Sequence, residues 1–311
     1  MATNLAGRRV VVTGGAGFLG SFVVARLLSR GADVFVPRSR DYDLTQAPAV
    51  ERLFNHARPE VVIHLAARVG GIGANQVNSG GFFYENMAMG LHVVHGAMRR
   101  GVEKLVLIGT SCSYPKVTSV PFREEDLWGG FPEDTNAPYG VAKRALVAMV
   151  QAYRLQYRLN GIALIPANLY GPRDNFDLET SHVIPALIRK FVEARERGGR
   201  VVTAWGTGQV SREFLYVEDA AEGIVLAAER YDGSDPVNLG TGREVLIRDL
   251  VEEIRSLVGF KGDVEWDSTR PDGQPRRCLD TSGAEALFGF RARTPLRKGL
   301  RNTINWYLEH R

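Results

Sequence analysis

Tyr139 and Lys143 stand four positions apart in a stretch of helical pattern, so they share one helix face. A phenol ionises near pH ~10 and donates a proton reluctantly unless a cation lowers that value. An ammonium one turn away is expected to do this, which suits the reduction of a carbonyl if a hydride source lies nearby. A hydroxyl at the end of the apolar run Lys104–Thr110 would complete the set, and either Thr110 or Ser111 could supply it. Strand-end hydroxyls commonly cap a neighbouring turn, so this one carries weight only together with the pair.

The hydride source is legible near the start. Arg8–Thr13 runs into Gly14-Gly15-Ala16-Gly17-Phe18-Leu19-Gly20, and a helical pattern follows at once. Glycines at 14, 17 and 20 provide a tight turn, bare backbone for a pyrophosphate, and close packing of helix on strand. The helix start adds N–H groups and partial positive charge. In this strand–loop–helix context the pattern points to dinucleotide binding rather than a merely tight turn. The second apolar run ends Val36-Pro37-Arg38-Ser39-Arg40, with no carboxylate before Asp41. A carboxylate there would hold a ribose 2′-hydroxyl, whereas guanidiniums match a 2′-phosphate. NADP(H) is therefore the expected cofactor, with Asp43 and Leu44 beside the adenine edge.

These groups need a scaffold. Apolar runs at 8–14, 32–37, 60–67, 104–110 and 161–170 alternate with amphipathic stretches at 21–31, 82–101 and 137–161. That alternation, with nearly continuous apolar strands, predicts an α/β Rossmann fold: a doubly wound parallel sheet covered on both faces. After about residue 170 the rhythm breaks. The expected division is a dinucleotide-binding domain of 1–170 plus 217–246, and a smaller, discontinuous α/β substrate domain of 171–216 plus 247–311. The cleft between them, at the carboxyl ends of the strands, is the expected site. A chain of 311 residues with 44% hydrophobic content can build such a core. No run reaches the ~20 apolar residues of a membrane span, and the start has no signal-peptide pattern. Two cysteines make no disulfide framework, so the cytoplasm is the expected compartment. A net charge of +4 suits a small anionic ligand. Basic blocks with interleaved aromatics are missing, so neither nucleic acid nor membrane is an expected partner. No metal site is expected.

The motifs together resemble the extended short-chain dehydrogenase/reductase family, in its GDP-L-fucose synthase branch. The likeness lies in Ala67–Ile72 with Ala74-Asn75, Ser111-Cys112-Ser113-Tyr114-Pro115-Lys116, Pro138–Lys143, and Asn168–Pro172. It continues through Asp174-Asn175-Phe176, Ser181–Leu187, Trp205-Gly206, Arg212-Glu213-Phe214, Pro271-Asp272-Gly273 and Pro275-Arg276, nearly the whole chain. The resemblance implies NADPH-dependent 3,5-epimerisation and 4-reduction of GDP-4-keto-6-deoxy-D-mannose. It implies Cys112 as the base and His182 as the acid at the carbons flanking the carbonyl, with Tyr139, Lys143 and Thr110 at the carbonyl itself. A thiol and an imidazole both titrate near neutrality when tuned; read alone, Cys112 is as easily an inert buried thiol and His182 a hydrogen-bond donor at a helix start. The resemblance extends the cofactor contacts to Ala66, Ala67, Ile108, Gly109, Pro166, Asn168, Leu169 and His182. It places Ser111, Asn168, Lys190, Trp205, Arg212 and Asp272 around the substrate, with Arg276 and Arg277 as secondary candidates. It also implies a homodimer formed through helices 82–101 and 137–159.

Two residues depart from the pattern. Thr110 stands where the family usually has serine, which keeps the hydroxyl but stiffens χ1. Ala16 is more typical of NAD-using relatives. The alternatives are a reductase or epimerase of another GDP-4-keto sugar, of 6-deoxyheptose or colitose type, and an NAD-dependent 4-epimerase. A non-enzymatic dinucleotide sensor would have no need of the intact Tyr139/Lys143 pair.

Overall fold

A computed structural model describes residues 3–311. The first half alternates strictly: β1 (Arg9–Thr13), α1 (Phe18–Ser29), β2 (Asp33–Phe35), α2 (Ala47–Ala57), β3 (Val61–His64), α3 (Ile72–Val77), α4 (Ser79–Arg99), β4 (Lys104–Ile108), α5 (Ala137–Tyr157) and β5 (Gly161–Pro166). Then come β6 (Asn168–Tyr170), α6 (Val183–Glu196), β7 (Val201–Trp205), β8 (Ser211–Tyr216), α7 (Val217–Arg230), β9 (Val237–Leu239) and β10 (Glu244–Leu246). The chain closes with α8 (Ile247–Val258), β11 (Asp263–Asp267), α9 (Ser282–Phe288) and α10 (Leu296–His310).

The main sheet runs β2-β1-β3-β4-β5-β9, with every neighbouring pair parallel. Strands β3, β4 and β5 are buried along their whole length, as a sheet covered on both faces demands. From β1 the chain steps outward to β2, then crosses back to β3 on the other side. This reversal opens a crevice at the carboxyl ends of β1 and β3. Gly20, inside α1, lets the helix sit directly on the glycine loop: a Cβ there would strike the Gly14 carbonyl.

A second core collects Tyr170, Ile188, Phe191, Leu250, Ile254, Leu300 and Ile304. Around it stand the sheet β10-β8-β6 and the parallel pair β11-β7. In β7 buried and exposed residues alternate, so one face is left open.

Three details differ from the sequence-based expectation. The run 161–170 is not one strand. It splits at Ala167, where β5 stays with β4 and β9 while Asn168–Tyr170 pairs with Phe214–Tyr216 of β8. Strand pairing at one place and core packing at another also divide the chain differently. Glu244–Leu246, expected with the first domain, hydrogen-bonds antiparallel to β8 in the second sheet. Leu279, Ala284, Phe288 and Phe290, expected in the second domain, join the first core. Gly223 of α7 makes room for that return, since a Cβ there would lie 2.9 Å from the Phe290 ring.

Candidate active site

One cavity of about 990 Å³ runs from the glycine loop, past the ends of β1, β3 and β4, to the second core. At its cofactor end Gly14 holds a φ of +71°, and a Cβ on it would come within 2.8 Å of the Ala66 nitrogen. Gly17 is the N-cap of α1. Phe18, Leu19 and Gly20 of the first turn line the cavity, where the helix's unpaired N–H groups suit an anion. Ala16, Asp43, Leu44, Ala66, Ala67, Ile108, Gly109, Pro166, Asn168 and Leu169 line it as well. The bare backbone at 14–20 therefore fits a dinucleotide pyrophosphate. Gly15 is different: its Cβ would sit 3.0 Å from Val36, so this glycine serves strand packing and does not line the cavity. The two arginines also separate. Arg38 lines the cavity, whereas Arg40 points outward, pairs with Asp41 at 3.4 Å and is 84% exposed.

Proline at the first turn of α5 starts the helix that carries Tyr139 and Lys143, both buried and both facing the cavity. The loop after β4 is bound to that first turn. Ser113 Oγ donates to the Gly140 carbonyl at 3.0 Å, and a Cβ on Gly140 would strike the Cys112 carbonyl. Thr110 caps the short turn Ser111–Ser113, accepting from the Cys112 N–H at 3.2 Å, and its hydroxyl lies near enough to Tyr139 to act on the phenol. The expected lowering of that phenol does not appear. Burial, with a contribution from Cys112, holds Tyr139 above its ordinary value, opposed by Thr110. Burial pushes the Lys143 ammonium down to about 8.

Cys112 is half-buried and free, not sealed in the core. His182 is the N-cap residue of α6, but its side chain does not cap the helix. The ring opens into the cavity with protein surrounding it at longer range, and this desolvation lowers its pKa. Thus Tyr139, Lys143, Thr110, Cys112 and His182 line one cavity, although His182 comes from the far side of the cleft.

At the other end Ser111, Lys190, Trp205, Arg212 and Asp272 all line the wall. Several are already engaged. Arg212 donates to the carbonyls of Ser211, Asp272 and Gln274 at 2.6–2.7 Å, so its guanidinium braces the 272–274 loop. Asp272 receives the Thr207 N–H and hydroxyl at 2.9 and 2.8 Å. Trp205 stands between Lys190 Nζ, 5.5 Å from its ring centre, and Arg270, 4.6 Å away. Arg270 was not anticipated; its neighbour Pro271-Asp272-Gly273 was the available signal. Arg276 turns out of the cavity onto Glu244, bonded at 2.5 and 3.1 Å, while Arg277 turns in. His64 was also unanticipated: it is buried at the end of β3, near enough to Lys143 to feel its charge.

Residues 10–240 match the NAD dependent epimerase/dehydratase family. The chain belongs to that family. This member is 42% identical over 303 residues to GDP-L-fucose synthase 1 of Arabidopsis thaliana, covering 97% of this chain and 94% of that one. Among solved structures, the epimerase/dehydratase chain is similar to a GDP-6-OMe-4-keto-L-xylo-heptose reductase from C. jejuni, with a TM-score of 0.91, 28% identity and 100% of both chains covered. It is similar also to a GDP-L-fucose synthetase from Naegleria fowleri bound to NADP, with a TM-score of 0.90, 29% identity, and 99% and 96% coverage.

Proposed function

We propose that the protein converts GDP-4-keto-6-deoxy-D-mannose to GDP-L-fucose, epimerising C3 and C5 and reducing C4 with NADPH. The observation that carries this reading is the opening of Cys112 and His182 onto the cavity that also holds Tyr139 and Lys143. A reductase needs only the latter pair; the thiol and imidazole add proton exchange at the carbons beside the same carbonyl. The 42% identity to a GDP-L-fucose synthase supports the choice of sugar.

In this reading the glycine loop and the start of α1 hold the cofactor pyrophosphate, Arg38 its 2′-phosphate, and Lys143 its ribose. When bound, NADPH supplies the hydride. Thr110 and Tyr139 bind the C4 oxygen, and that polarisation acidifies the hydrogens at C3 and C5. Cys112 removes a proton and His182 returns one on the opposite face. Tyr139 finally protonates the C4 oxygen as it gains charge. Its raised pKa keeps the phenol protonated until then. Lys190, Trp205 and Arg270 form the outer wall for the nucleotide, and the second core with its two small sheets serves as the sugar-nucleotide domain.

We place the enzyme in the cytoplasm, where both free cysteines stay reduced. We also read it as a homodimer through α4 and α5, whose outer faces leave Phe83, Tyr84, Leu91 and Leu155 exposed; light scattering coupled to gel filtration tests the dimer. Among the described residues no helix is long and apolar enough to cross a membrane.

The test of function is product analysis by NMR with NADPH and a panel of GDP-4-keto sugars. GDP-L-fucose from the 6-deoxymannose substrate is the expected product. No turnover of that substrate, or faster turnover of a heptose analogue, would overturn the assignment.

A further inference from the structure

Arg277 is buried, at 7% exposure, and its Nη1 donates to Cys112 Sγ at 3.3 Å. Its Nε is tethered to Gln274 Oε1 at 3.4 Å. Gln274 in turn donates from Nε2 to the carbonyls of Pro115 and Lys116, at 3.3 and 3.1 Å, on the loop that carries Cys112. Its own carbonyl accepts from Arg212. The 272–277 loop is thus laced to the 110–116 loop, and the guanidinium at the lacing points at a sulfur. The hydrogen bonds of Arg277 run to Gln274 and Cys112, not to a carboxylate. A buried guanidinium needs a counter-charge, and the group its Nη1 reaches is a sulfur that can form a thiolate. Arg212 belongs to the same electrostatic cluster: burial and Arg277 push it down to about 10, and Cys112, Asp272 and Glu133 oppose that shift.

We propose that Arg277 is a positioning residue for the proton-abstracting thiolate of Cys112, pairing with the sulfur and aiming it into the cavity. The proposal rests on the reading of Cys112 as a base. In the step it serves, an S–H bond forms as the C–H bond beside the carbonyl breaks. The electron pair of that C–H bond moves onto the C4 oxygen, held by Tyr139 and Thr110, and His182 gives its proton to the opposite face of the carbon.

Alkylation of Cys112 by iodoacetamide, located by peptide mass mapping on the folded full chain, tests the pairing without any substrate. Arg277→Gln, which removes the positive hydrogen-bond partner of the sulfur, should slow alkylation about tenfold. Arg277→Lys, which keeps the charge, should retain most of the rate. An unchanged rate in Arg277→Gln overturns the proposal. If that variant does not fold, Gln274→Ala releases the other end of the guanidinium and should slow alkylation in the same sense; an unchanged rate there overturns it equally. With GDP-4-keto-6-deoxymannose, solvent deuterium uptake by Arg277→Gln should fall about tenfold in kcat at similar KM. A rise in KM alone would make Arg277 a substrate-binding residue and overturn the proposal. Failure of the wild type to exchange any proton would instead sink the proposed function, and alkylation would still decide the pairing.

Discussion

Thr13 Oγ1 and His64 Nδ1 lie 2.7 Å apart at partnered positions of β1 and β3, both fully buried beneath the cavity. Burial, with the nearby Lys143 charge, pushes the His64 imidazole down to about 3. The ring is therefore neutral at working pH and adds no second cation below Lys143. Its folded value lies below the ordinary ~6.5, so the unfolded chain takes up the proton first as pH falls. The stability this group contributes is complete above pH ~6.5 and is lost between there and pH ~3, by up to about 5 kcal/mol. Urea unfolding from pH 7 down to 4 should show a shallower acid loss in His64→Asn than in wild type. Parallel slopes would exclude His64 as the source.

The role proposed for Tyr139 and Lys143 predicts an alkaline limb. Lys143 titrates at about 8 in the folded protein, so kcat/KM for reduction should fall as pH rises through that value and the ammonium is lost. Lys143→Arg, which keeps its charge, should remove this limb while lowering the rate. Tyr139→Phe should cost ~10²–10⁴-fold in reduction and leave the NADPH dissociation constant nearly unchanged by fluorescence titration.

The two arginines after β2 should separate. Arg38 lines the cavity and Arg40 is held outside on Asp41. Arg38→Ala is expected to raise KM for NADPH about tenfold with little change for NADH. Arg40→Ala should change neither. Equal effects of the two substitutions would overturn the assignment of the 2′-phosphate to Arg38.

Asp174 is buried, and among the described residues its Oδ2 has no hydrogen-bond partner. Burial pushes its carboxyl up to about 7, partly opposed by the Asn175 N–H. A raised folded value means the contribution is favourable below the ordinary ~3.9 and is lost as pH rises through 7. Asp174→Asn should therefore raise Tm at pH 8, by an amount worth up to about 4 kcal/mol, with no gain at pH 4. Calorimetry at both values checks the difference.

Much of the site was legible because its signals are local. Tyr139 and Lys143 share a helix face by spacing alone, and the glycine loop declares itself by position between a strand and a helix. Cys112 and His182 needed the family resemblance, since a lone thiol and a lone imidazole have inert readings that spacing cannot exclude. The structure opens both side chains onto one cavity, and the proposed function builds on that juxtaposition.

Sequence by itself determined the alternating architecture, the dinucleotide end and the Tyr139/Lys143 pair on one helix face, because each depends on hydrogen bonds and side-chain periodicity within a few turns of chain. Tertiary structure decided which of two neighbouring arginines faces the cavity, at 38 and 40 and again at 276 and 277. It also decided that Gly15 serves packing, that Asn168–Tyr170 changes sheets, and that a guanidinium 165 positions away sits on the Cys112 sulfur. Those outcomes depend on where distant segments close on one another, and residue type and local spacing carry no record of that.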